Sequence, residues 1–369
     1  MLKAGGAEVT LAGFRRTASP IADVEGLRPV DLGATRDGRF AQRLAAVAKA
    51  AVSIGSKLGS TSRPDLIIAR NLEMLALARR ARSAFQASVP IVYECLDIHR
   101  LVLRDDLLGK AMRGAERYLA RDVKLLVTSS PAFIANYFKP FGQVAAPVEL
   151  LENKYFELAA VSPDDRMAAE DPVAPPWRIG WFGALRCRRS LELLAEFSRR
   201  LDGRFEIILR GRPALTEFPD FHAFVEAEPW LSFGGPYRNP EDMAAIYGEV
   251  HFSWAIDFFE QGLNSEWLLP NRLYEGCRFG AVPISMANTE TGRFLDRQGI
   301  GVLLPQATPE ALEAALGDMD EHRFATLRAR VLARNPRTWS HDRGDCRALV
   351  EKLRGLASVP DPYPAEALA

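Results

Sequence analysis

Residues 262–285, GLNSEWLLPNRLYEGCRFGAVPIS, set out a loop, a helix and a strand in that order. Pro270 stands just ahead of a helical period over 271–279, Gly280 closes it, and the apolar run 281–285 follows. A short run of this kind, bounded by turn residues, suits a strand of a parallel sheet buried on both faces. In open α/β sheets ligands bind in the crevice at the carboxyl edge. The order strand, loop, helix places Glu275 near that edge, where one carboxylate can accept both hydroxyls of a ribose diol. Asn271 and Arg272, at the helix start, favour a phosphate. Taken alone, Glu275 also reads as a plain helix-surface charge.

The companion stretch lies at 177–190, WRIGWFGALRCRRS. A strand over 177–182 runs into Gly183, and a turn carrying Arg186, Arg188 and Arg189 leads to a helix opening near Ser190. Glycine permits close backbone approach, and helix N-terminal amides attract anions. Arginines placed there clamp a diphosphate through charge-assisted hydrogen bonds. The competing interpretation is a solvated basic turn.

Outward from these two stretches the same alternation recurs. Strands are expected at 205–209, 251–257 and 301–304, and helices at 190–201, 218–228, 240–247, 289–298 and 308–319. The first half shows strand-like runs at 65–70, 90–97, 124–130 and 148–153. Helical periods lie between them at 40–58, 72–86, 105–121 and 131–138. Such alternation predicts right-handed βαβ units and doubly wound sheets. Residues 159–176, AAVSPDDRMAAEDPVAPP, have the composition of a linker. The expected architecture is α/β, with two Rossmann-like domains in tandem over 1–158 and 177–336. Residues 337–369 form a helical segment that returns to the first domain.

A chain of 369 residues exceeds one ordinary core, in keeping with two domains. Lys plus Arg number 47 against 47 Asp plus Glu, which argues against a nucleic-acid partner. Cys95, Cys187, Cys277 and Cys346 form neither a CxxC pair nor a metal-ligand pattern, and are read as free thiols in a reducing compartment. No metal site or cofactor is expected. The chain lacks an apolar run of ~18 residues and an apolar signal core at its start, so a cytoplasmic location is expected. Leu pairs among basic residues over 100–121 allow peripheral contact with the inner membrane face, or mark an ordinary surface helix. Residues 1–14 read as a helix end, a Gly-Gly turn and a strand. A doubly wound domain opens on a strand and a full helix, so a start at an internal methionine, with the first strand missing, is the favoured expectation.

The second half resembles the nucleotide-sugar domain of retaining glycosyltransferases with two Rossmann domains, the type that builds bacterial surface polysaccharides and glycolipids. The resemblance is carried by FGALRCRRSLELL, by LSFGGPYRNPEDMAAIYGEVHFSWAIDF and by LLPNRLYEGCRFGAVPIS, over about 177–305, with weaker likeness across 65–155. It implies that Gly183 with Arg186 and Arg189 binds the donor diphosphate, and that Glu275 holds the ribose. It implies a backbone reader of the base at 236–238, around Tyr237 and Arg238, and a histidine facing the reacting sugar, for which His99 matches best. The family's second glutamate, eight residues before the ribose-binding one, is Trp267 here, with Glu266 one place away. Its usual lysine is replaced by arginine, and Asn264 with the 262–265 loop stands ready for sugar hydroxyls.

The resemblance therefore implies a metal-independent hexosyltransferase, acting with retention on a nucleotide sugar and a saccharide or lipid-linked acceptor. Competing expectations are a nucleotide-sugar epimerase or phosphorylase on the same fold, or an inactive nucleotide-sugar-binding assembly subunit. A dinucleotide dehydrogenase is disfavoured because no GxGxxG follows a strand.

Overall fold

The computed structural model describes residues 1–17, 19–35, 40–85, 89–158 and 174–357. The chain forms two compact units, Met1–Leu151 with Arg343–Ala369, and Glu152–Asp342. Most of the 159–176 stretch read as a linker, and the end of the last segment from residue 358, lie outside the described residues.

Among the described residues the first unit holds six parallel strands in two sheets. β1 (Ala12–Arg15) pairs with β2 (Val30–Ala34), and a separate sheet runs β3 (Ile67–Arg70), β4 (Ile91–Cys95), β5 (Val123–Thr128), β6 (Val148–Leu150) in that spatial order. Residues 2–6 are a hydrogen-bonded turn, Gly5 N donating to the Met1 carbonyl at 2.8 Å. Leu32 of β2 packs with Ala50 and Ile54 of the helix Phe40–Lys57 and with Leu77 and Ala81 of the helix Asn71–Ala84. The last helix, Arg343–Ala357, lays Leu349 and Leu353 on Val92, Leu125 and Val127 of this unit. Its Cys346 carbonyl comes so close to Gly5 that a Cβ there would sit 2.3 Å from it.

The second unit is built around a doubly wound sheet of six strands among the described residues. It is built from β8 (Trp177–Leu185), β9 (Phe205–Pro213), β10 (Leu231–Phe233), β11 (Phe252–Trp254), β12 (Val282–Met286) and β13 (Val302–Leu304), after the two-residue β7 (Tyr155–Phe156). The spatial order is β10-β9-β8-β11-β12-β13, every pair parallel. Counted within the unit this is 3-2-1-4-5-6, the order of dinucleotide-type α/β sheets. All five residues of β12 are buried, because helices cover both faces. Trp177, Ile179 and Trp181 of β8 meet Phe252, Trp254, Val282 and Ile284 in one continuous core. β7 pairs with β14 (Ser340–His341), which keeps 337–342 with the second unit and places the division at Asp342/Arg343.

Several elements depart from those expected: β2, β7, β14 and the helix Glu321–Leu332 were not among them, and two further departures bear on the site. β8 continues through Gly183 to Leu185, so the following helix begins at Arg188, with Cys187 at its cap accepting from Ser190 N at 3.4 Å. β10 was not among the expected strands, since three residues between Trp230 and a Gly-Gly pair are too few to show a period.

Candidate active site

β8 and β11 lie side by side at the centre of the second sheet. From β8 the chain goes on to β9 on one side, and from β11 to β12 on the other. Their carboxyl ends therefore open the crevice of a topological switch point.

Glycine shapes one wall of it. Gly183 pairs in register with Gly211, and Gly211 N donates to the Gly235 carbonyl at 2.9 Å. All three have positive φ, at 109°, 129° and 76°. A Cβ on Gly211 would lie 1.9 Å from the Gly183 carbonyl oxygen, so that position admits no side chain. A Cβ on Gly183 would meet only the Tyr237 hydroxyl, at 3.9 Å, which places that phenol beside the bare backbone. Burial, and then the charge of Glu275, push the Tyr237 hydroxyl up to about 12.

The arginines after β8 divide. Arg186 donates from Nη2 to Oδ2 of Asp257 at 3.0 Å and lies over the Phe259 ring at 4.6 Å. Arg189 donates to Gln261 and lies over Phe258 at 4.5 Å. Arg188 is not brought to this group. It pairs with Asp220 and Glu192, because successive helix residues point about 100° apart. Asp257 stands just after β11, its side chain 8% exposed. Burial alone raises its pKa, but Arg272 and Arg186 outweigh that and hold the carboxyl below its ordinary value.

The helix Asn271–Arg278 supplies the other side. Gly276 packs so closely on β11 that a Cβ would stand 2.8 Å from Ser253. This seats Glu275, 6% exposed, where Asn239 Nδ2 donates to Oε1 and Tyr247 Oη to Oε2, each at 3.2 Å. Burial raises its pKa, opposed by Tyr247, Arg272 and Asn239. Arg272 donates from Nη2 to the Ile256 carbonyl at 2.8 Å, while Asn271 is exposed at the helix start. Gly183, Arg186, Arg189, Tyr237, Arg272 and Glu275 thus belong to one neighbourhood.

The remaining expected residues are placed otherwise. Arg238 is exposed and tied to Asp242, which binds its side chain and accepts from its backbone N at 2.7 Å. Asn264 is buried at the start of the short helix Asn264–Trp267. Glu266 closes that loop on itself, accepting from Gly262 N at 2.9 Å. His99 belongs to the first unit, after β4, and is exposed. Leu101 N donates to its Nδ1 at 3.3 Å, so a neutral ring carries its proton on Nε2. Packing around the ring, followed by the charge of Arg43, lowers its pKa. Among the described residues no three His, Cys, Asp or Glu side chains gather as a metal would require. The four cysteines are free and buried.

Reading the sequence alone missed Asp257, Phe258, Phe259, Asn239 and Gly211. The available signal was DFFEQ directly after a central strand, a position where acidic and aromatic residues line a crevice rather than a core.

Comparison with known proteins gives the family and the fold. Residues 1–154 match the Glycosyl transferase 4-like domain family. Over 375 aligned residues the chain is 56% identical to the succinoglycan biosynthesis protein ExoL of Rhizobium meliloti strain 1021, covering 100% of this chain and 92% of that protein. Among solved structures, sucrose-phosphate synthase of Thermosynechococcus elongatus superposes with a TM-score of 0.68 at 15% identity, covering 96% of this chain and 90% of that one. Anabaena HepE in complex with UDP-glucose gives 0.60 at 17% identity, covering 89% and 86%. These two likenesses establish the fold. The order of the second sheet, the crevice between β8 and β11, and the 56% identity to a polysaccharide-biosynthesis protein lead to one assignment: the chain belongs to the two-Rossmann-domain (GT-B) glycosyltransferases of bacterial polysaccharide synthesis.

Proposed function

We propose that the protein moves a hexose from a nucleotide-sugar donor, bound at the β8/β11 switch point, onto a saccharide or lipid-linked acceptor during assembly of a succinoglycan-type polysaccharide. The observation that carries this reading is the meeting of Arg186 and Arg272, from two separate elements, around Asp257, with Glu275 one turn along the same helix as Arg272. Glycosyl transfer develops negative charge on the departing nucleoside diphosphate, and fixed guanidinium groups stabilise it. In this reading Arg186, Arg189 and Arg272 bind the diphosphate, Glu275 takes the ribose hydroxyls, and the backbone near Gly183 and Tyr237 admits the donor closely. His99 is the histidine that the family resemblance assigns to the reacting sugar, and transfer proceeds with retention, as the same resemblance implies.

Two finer points accompany this reading. The guanidinium groups take the place of a cation on the diphosphate, which makes the enzyme metal-independent. Leu107, Leu108 and Tyr118 stand exposed on the helix Leu107–Ala120, among Arg104, Lys110, Arg117 and Arg121, a pattern suited to an anionic membrane surface on the cytoplasmic side. The test is a thermal-shift screen of the full chain with UDP-, GDP- and dTDP-sugars, followed by anomer assignment of the product by NMR. A rise in melting temperature with one base series and an α-linked product from an α-linked donor support the reading. No shift with any nucleotide sugar overturns it.

A further inference from the structure

The loop after β11 touches two of the three arginines that follow β8, Arg186 and Arg189. Asp257 and Phe259 contact Arg186, by a hydrogen bond and by a ring face at 4.6 Å. Phe258 and Gln261 contact Arg189 in the same two ways, the ring at 4.5 Å. We propose that the segment 257–261 is a brace that positions Arg186 and Arg189 for the donor diphosphate. The proposal rests on the donor-site reading above and deepens it.

A free arginine must give up rotamer freedom when it binds an anion. A guanidinium stacked on an aromatic ring has already done so. Its face is occupied while the N–H edge, which matches phosphate oxygens, is still presented. The bond to Asp257 uses one of five donors on Arg186 and leaves the others for a ligand. Asp257 does not cancel the charge of the two braced arginines, since Arg186 and Arg189 set two guanidinium groups against its one carboxylate.

The brace is itself tied down. Phe259 N donates to Asp257 Oδ1 at 2.8 Å, Glu260 N to Ser265 Oγ at 2.9 Å, and Gln261 N to the Phe258 carbonyl at 3.2 Å. Phe258 also packs against the core of the unit, whereas Phe259 is 43% exposed. Phe259 lies at the exposed edge of the segment, with the Arg186 guanidinium over its ring at 4.6 Å. Phe259 is therefore the residue whose replacement separates positioning from folding.

The experiment is a double-mutant cycle on the full chain, titrated with UDP, GDP and dTDP by calorimetry at fixed salt. Phe259→Leu is expected to weaken binding about two- to five-fold, the range of an exposed cation–π contact. It is expected to change nothing further in an Arg186→Ala background, and Phe259→Trp is expected to retain wild-type affinity. A second cycle with Phe258→Leu and Arg189→Ala repeats the test on the other arm. An equal loss from the phenylalanine substitutions in both backgrounds, or none in either, overturns the brace while the donor site stands. If Arg186→Ala and Arg189→Ala leave nucleoside-diphosphate binding unchanged, or none of the three nucleotides binds the wild type, the donor-site reading fails and the brace with it.

Discussion

Arg186 and Asp257 join the ends of β8 and β11 through a 3.0 Å hydrogen bond, across the point where the second sheet reverses its direction of winding. The two residues lie 71 positions apart in sequence, and the sheet order makes them neighbours. This pairing keeps a cation at the mouth of the crevice and keeps the adjacent carboxylate ionised.

Removing that cation is expected to weaken the donor complex. Loss of a charge-assisted contact costs roughly 1.5–3 kcal/mol, or about 10- to 150-fold in affinity. Arg186→Ala and Arg189→Ala should each fall in this range for a nucleoside diphosphate in equilibrium titration. Arg188→Ala, whose partners are Asp220 and Glu192, should stay near wild type.

Gly211→Ala is expected to damage the fold as well as the site. Its φ of 129° suits glycine, and the added methyl would meet the Gly183 carbonyl at 1.9 Å. Backbone strain alone costs on the order of 1–3 kcal/mol. Gly235→Ala, with φ of 76° and open space around its Cβ, should lose less. Urea unfolding of the two variants compares them directly.

Glu275→Gln should separate stability from binding. Burial holds the folded pKa of Glu275 above 4.5, so the folded protein keeps this proton more tightly than the unfolded chain. The stability this confers is complete below the unfolded value and is lost as pH rises through the folded one. Glutamine stays neutral, so the variant should equal or exceed wild-type stability at pH 7, with the gap widening from pH 4.5 upward. Nucleoside-diphosphate affinity should nonetheless drop tenfold or more, since the ribose hydroxyls lose an anionic acceptor. Denaturation at several pH values with parallel titration checks both arms.

Turnover should persist in excess EDTA. Complete loss of activity, restored by Mn²⁺ or Mg²⁺, would place the diphosphate on a cation rather than on the arginines.

Much of the second unit was legible because β8 and β12 bury most or all of their residues and β9 buries alternate ones. Trp177–Leu185 and Phe205–Pro213 bury alternate or continuous residues, and Val282–Met286 is buried throughout. Leu231–Phe233 was illegible at three residues, and Gly183 hid the continuation of β8, since glycine usually ends a strand. The cluster of Arg186, Arg188 and Arg189 was visible as charge, but the direction of each side chain follows from where the helix begins. A helix opening at Arg188 rather than near Ser190 turns Arg188 toward Asp220. Asp257 and the two phenylalanines after it were passed over because aromatic residues beside a strand suggest core, and only the sheet order shows that they face the β8 turn.

The most direct test of the account is acceptor-dependent release of nucleoside diphosphate by the purified full chain, wild type against Arg186→Ala/Arg189→Ala, with the donor found in the thermal-shift screen. Release by the wild type only when a saccharide or lipid-linked acceptor is added, and a loss of at least about 100-fold in the double variant, is the expected result. Release at the same rate without acceptor, or undiminished in the double variant, would contradict it.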